Sequence, residues 1–156
     1  MNETTNTNAL VNREDIATVN LVEQLKNPMG QFYCSVADDG TRKSKVAIFN
    51  ALNAADENIG DHIGETLSVV DVIAHPVDVT DEKTGEIITA LRTVLITKEG
   101  KSYVAVSMGI ASALSKIFSI VGMPDGGAWH DEPVKMKIKQ VKTRNGNNKV
   151  NTIELV

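Results

Sequence analysis

Residues 85–124 read GEIITALRTVLITKEGKSYVAVSMGIASALSKIFSIVGMP, two β-rich runs that pass directly into a helical period. The first run, 87–97, is dense in β-branched residues, and the second, 101–107, alternates apolar and polar side chains. Between them Lys98-Glu99-Gly100 ends on the residue that most easily takes the positive φ of a short hairpin loop. From Ile110 the spacing lengthens to three and four, through Leu114, Ile117 and Val121, with Ser107 or Ser112 as a cap and Gly122 and Pro124 as stops. The spacing predicts a hairpin followed at once by an amphipathic helix.

Outward from this stretch, residues 65–80 (ETLSVVDVIAHPVDVT) form one long, bent strand, with Pro76 marking a bulge or an edge because it has no N–H to give a ladder. Downstream, 134–141 and 149–156 are two more strands, joined at 144–147 (RNGN). Three strands, a helix and two strands is the order of the OB-fold, so the expectation is a mainly β chain. It is expected to fold as an OB-fold-like five-stranded Greek-key barrel with one helix between strands 3 and 4. Ahead of the barrel, 32–37 and 43–49 are expected to add an N-terminal hairpin across Asp38-Asp39-Gly40. A short helix or turn follows at 51–57.

At 156 residues the chain suits one domain, placed at 28–156 and preceded by a flexible arm at 1–27. The arm is too polar to form its own core, yet Ile16, Val19, Leu21, Val22 and Leu25 make a small apolar set that fits self-association. One cysteine, Cys34, allows no internal disulfide; no apolar run is long enough to span a membrane, and the start of the chain lacks the features of a secretory signal. A cytoplasmic location is expected, with no membrane partner.

The formal net charge of -4 hides a one-sided distribution. The last hairpin holds Lys135, Lys137, Lys139, Lys142, Arg144 and Lys149 against Glu154 alone, and Lys135, Lys137 and Lys139 alternate with the inward Val134, Met136 and Ile138. A row of cations on one strand face suits a phosphate backbone, and equally a solvated sheet edge. If Val46 and Ile48 point inward, Tyr33, Lys43, Lys45 and Phe49 face out together; Lys101 and Tyr103 form a second such pair. Arg92 interrupts an apolar strand and needs either a carboxylate or a ligand phosphate. Trp129 lies in an irregular loop, where it fits a cap on the core as well as a stacking surface. Cations interleaved with aromatic rings are what single-stranded nucleic acid requires.

Catalytic spacing is missing. Cys34, His62, His75 and His130 are scattered, there is no HExxH or CxxC, and no glycine-rich phosphate loop follows a strand. The acidic residues at 38–39 and 78–82 lie in turns. No catalytic residue, metal or cofactor is expected.

The run 85–124, the tryptophan loop and EPVKMKIKQVKT after it, and KSKVAIFNALN and IGETLSVVDVIAHPV before it resemble the single-stranded DNA-binding proteins of phages and conjugative elements of Gram-positive bacteria. The similarity covers about residues 30–156. It implies a non-enzymatic OB-fold protein that coats single-stranded DNA during replication or transfer of a mobile element. DNA contacts are then expected from Tyr33, Lys43, Lys45, Phe49, Arg92, Lys101, Tyr103, Trp129, Lys135, Lys137 and Lys139. The chain ends Thr-Ile-Glu-Leu-Val and not in the acidic, Phe-terminated tail of the housekeeping bacterial proteins, so recruitment of repair enzymes through such a tail is not expected. Two other functions fit the same residues: an assembly protein that uses the sheet for protein contacts, and a carboxylate-dependent nuclease.

Overall fold

The computed structural model describes residues 32–156; the expected arm at 1–27 lies outside the described residues. In chain order the elements are β1 (Tyr33–Cys34), α1 (Arg42–Asn53), β2 (Glu57–Asn58), β3 (Thr66–Thr80), β4 (Ile87–Thr97), β5 (Ser102–Val106), α2 (Met108–Ile120), β6 (Val134–Lys142) and β7 (Lys149–Leu155). The strands make one curled sheet, a half-barrel, in the order β2-β5-β4-β3-β6-β7, with β1 pairing on β3. All neighbours are antiparallel except β2 and β5.

β3 organises the sheet. It pairs with β4 along almost its whole length, from Val69 opposite Thr97 to Thr80 opposite Ile87, and its first residues, Thr66 to Val69, also pair with β6. The bend that lets one strand serve both neighbours is a bulge at Val70, where the register steps from Val69–Thr97 to Asp71–Ile96. Pro76 lies beyond β1, which reaches only Ile73 and Ala74, so it occupies a stretch of β3 with β4 on one side only. Gly100, at φ +85°, and a hydrogen bond from its N–H to the Thr97 carbonyl at 2.8 Å close the β4–β5 loop as the sequence requires. A five-stranded Greek-key barrel would also join β5 to β7. Among the described residues no such pairing is made, and the sheet stays open at that seam.

One face of the sheet forms the core. Leu67, Val69 and Val72 of β3, Leu95 of β4, Tyr103 and Ala105 of β5, and Met136 and Ile138 of β6 pack against Ile110, Leu114 and Ile117 of α2. Ser107 caps α2 by accepting from the Ile110 N–H, and Gly122 at φ +105° turns the chain away after it. The helix sits unusually close to β7: a Cβ at Gly109 would lie 2.1 Å from the Asn151 carbonyl oxygen. Glycine is required there by space, not by φ.

The expected hairpin of 32–37 with 43–49 does not form. Tyr33–Cys34 is a two-residue strand on β3, and residues 42–53 are the helix α1. Local hydrogen bonding decides the matter. Asp38 Oδ1 accepts from the Gly40 N–H, Asp39 Oδ1 accepts from both Thr41 N–H and Thr41 Oγ1, and Thr41 Oγ1 then accepts from the Ser44 N–H as the N-cap. Ile48, Ala51 and Leu52 are the half-buried side, at helical spacing, and no residue of α1 is fully buried.

Candidate nucleic-acid interface

Strand alternation sorts the expected contact residues onto two faces. Because Met136 and Ile138 are in the core, Lys135, Lys137 and Lys139 stand on the opposite face of β6. Arg92 stands on that same outer face of β4, since its neighbour Thr93 is cross-strand partner to core Ala105 while Arg92 pairs with His75 and Val106. Its guanidinium Nη1 donates to the Leu52 carbonyl, which brings the last turn of α1 against the outer face. Lys43, Lys45 and Phe49 of α1 are exposed. Phe49, at 59% exposure, has Lys45 one helical turn before it.

The charges on this face are mostly free of internal partners. Lys139 Nζ lies 3.4 Å from Glu154 and Lys45 Nζ 3.2 Å from Asp38, both in exposed pairs that contribute little. Among the described residues Lys135, Lys137, Lys43 and Arg92 make no ion pair. Burial pulls the Arg92 guanidinium below its ordinary pKa range.

Three of the four expected aromatic surfaces turn inward. Tyr103, expected to face out beside Lys101, is only 8% exposed and belongs to the core, edge-on to His62 with centroids 5.1 Å apart. The inside and outside of β5 are thus the reverse of the expectation: Tyr103 and Ala105 go in, and Val106 is exposed. Trp129 is buried and meets Phe118 at 5.8 Å, which in turn meets Tyr33 at 5.6 Å. Tyr33 also donates its hydroxyl to Asp125 Oδ1 at 3.1 Å, and burial, reinforced by that carboxylate, raises its pKa well above the usual phenol range. The three rings join β1, α2 and the loop after it.

Lys101 is committed as well. Its Nζ lies 5.8 Å above the Tyr103 ring and 3.1 Å from Glu57 Oε1. The hydrogen bond to Glu57 raises its pKa, and the same contact, with His62 next, lowers that of Glu57. His62 bridges Glu65 at 2.5 Å and Glu57 at 3.2 Å, and its pKa is raised by the Glu65 contact first and Glu57 second. This polar cluster closes one end of the core.

The β6–β7 register sets two cations opposite one another next to the turn of the hairpin. Lys142 and Lys149 are directly opposite one another across the hairpin, with Arg144 in the turn. Cross-strand cations repel unless an anion lies between them. The signal was present as the excess of Lys and Arg in the last hairpin, but only the register shows which two meet.

Among the described residues no three His, Cys, Asp or Glu side chains converge as metal ligands would, and no helix is long and apolar enough to cross a membrane. A family model described as Phage Single-stranded DNA-binding protein matches residues 29–155. Searches of the curated proteins and of the solved structures each return no match.

Proposed function

Since the chain belongs to the phage single-stranded DNA-binding protein family, we propose that it coats single-stranded DNA with little regard to sequence during replication or transfer of a phage or mobile element, in the cytoplasm of the bacterial host, and that it does so without catalysis. The lysine row carries the proposal: Lys135, Lys137 and Lys139 share the outer face of β6, and the first two make no ion pair among the described residues. Point charges on flexible stems take phosphates in many geometries, which gives affinity without base readout.

The outer face supplies the path. Arg92 continues the cationic surface onto β4, and α1, seated there by the Arg92–Leu52 hydrogen bond, offers Lys43, Lys45 and the exposed ring of Phe49. We assign base stacking to Phe49; Tyr33, Tyr103 and Trp129 hold the scaffold in shape from inside. The strand order β5-β4-β3-β6-β7 with α2 between β5 and β6 supports an OB-type barrel left open between β5 and β7.

A fluorescence-anisotropy titration with labelled oligo-dT, repeated at two salt concentrations and against a duplex competitor, tests the proposal. For single strands log K falls by about 0.7 per phosphate contact for each tenfold rise in salt, so the lysine row and its neighbours give a slope of several units. Duplex competes weakly. Affinity independent of salt, or duplex competing as well as oligo-dT, overturns it.

A further inference from the structure

The open seam between β5 and β7 contains a cavity of about 330 Å³ lined by Asn58, Gly60, Arg92, Val106, Ser107 and Asn151, among others. Its size is at the small end of ligand pockets, which start near ~300 Å³. The Arg92 guanidinium spends one donor on the Leu52 carbonyl, and among the described residues no carboxylate lies within ion-pair distance. Five N–H donors in a fork leave others to place. A half-buried cation with donors to spare is a setting that an anion completes.

The opposite wall is arranged for a heterocycle. Asn58 uses its Oδ1 on the Gly60 N–H at 3.0 Å, and Asn151 uses its Oδ1 on Gln140 Nε2 at 3.4 Å, so both amides keep N–H donors. Ser107 accepts from the Ile110 N–H and keeps its O–H. The side chains of Val104 and Val106 give apolar surface beside these donors. Phosphate, polar base edge and apolar sugar or base face are the three demands of one nucleotide. We propose that this seam cavity holds a single nucleotide of the bound strand, its phosphate on Arg92 and its base edge on the amides of Asn58 and Asn151. The proposal rests on the single-strand function above and adds to it one defined pocket in an otherwise sequence-tolerant surface.

Gly60 allows a test that leaves the backbone alone. Its φ is one any residue adopts, and an added Cβ would meet Asn58 Oδ1 at 3.4 Å and Asn151 Nδ2 at 3.7 Å, both ordinary contacts. Gly60→Val therefore fills the cavity, whereas Arg92→Gln removes the charge. Oligo-dT titrations of both variants, of Lys137→Gln and of the unaltered chain, with thermal melts of each, decide the matter. A hydrogen bond to a charged group is worth enough that each cavity variant is expected to bind about tenfold more weakly. Arg92→Gln also loses about 0.7 of the salt slope, while Gly60→Val keeps it, because no charge is removed. If Arg92→Gln melts early, Gly60→Val alone decides. Unaltered affinity in Gly60→Val, with Lys137→Gln weakened, overturns the cavity proposal and leaves the single-strand function standing. No binding of oligo-dT by the unaltered chain overturns both.

Discussion

Lys135, Lys137 and Lys139 changed together to glutamine lower the affinity for oligo-dT by about a hundredfold at 0.1 M salt. Each phosphate contact on a single strand contributes about 0.7 to the slope of log K against log salt, so at 0.1 M each is worth roughly fivefold, and three give that product. The slope itself falls by about 2 units. The fold is expected to be untouched, because all three side chains stand on the face away from the core and, among the described residues, only Lys139 has an ion-pair partner, the exposed Glu154. Anisotropy titrations across a salt series read affinity and slope at once. A triple variant that keeps the slope of the unaltered chain would move the interface off β6, and one that loses affinity without losing slope would point to lost structure.

Leu114→Ala is expected to cost about 2 to 5 kcal/mol of unfolding free energy, the range for deleting a leucine from a packed core. Leu114 is 4% exposed and lies between Ile110 and Ile117 on the side of α2 that covers the sheet. The three residues fill the concave face together with Leu95, Tyr103 and Met136, so the missing carbons leave a void that α2 cannot close by shifting: Gly109 already has it against the β7 backbone. Denaturant unfolding followed by far-UV circular dichroism gives the number. A change below about 0.5 kcal/mol, as is usual for surface positions, would mean that α2 is not a core element.

β3, β4, β6, β7 and α2 were legible because their patterns are plain: Val134 to Lys139 alternate without a fault, and Ile110, Leu114 and Ile117 repeat at helical spacing. Two errors have separate physical origins. α1 buries no residue, so its apolar period is thin, and Val46 with Ile48 imitates a strand; the deciding information lay in Asp38, Asp39 and Thr41, whose short side chains turn the backbone into a cap. β5 is apolar on both sides, so Val104 and Val106 looked as interior as Tyr103 and Ala105. Only the register with Leu95 and Thr93 shows which pair faces the core. The lysine row was readable because charge marks an outer face in a way that a methyl group does not. The seam cavity was not, because it joins Asn58, Arg92 and Asn151 from three strands distant in sequence.

The contact of Gly109 with the Asn151 carbonyl has a colloidal consequence. An open sheet has edges, and an unpaired edge strand is a template on which another chain can add, the first step of aggregation. β7 is such an edge, and the start of α2 lies so close over its middle that no foreign strand can reach the Asn151 carbonyl. Gly109→Ala would ordinarily strengthen a helix by up to about 1 kcal/mol, but here the methyl forces helix and strand apart. The expected result is a chain that still has its hairpins yet scatters light on standing at concentrations where the unaltered chain stays clear. A clear solution of Gly109→Ala would show that the close approach of α2 is not what guards β7. The missing side chain at 109 is in this sense a solubility device, keeping the sheet open enough for a ligand and closed to its own kind.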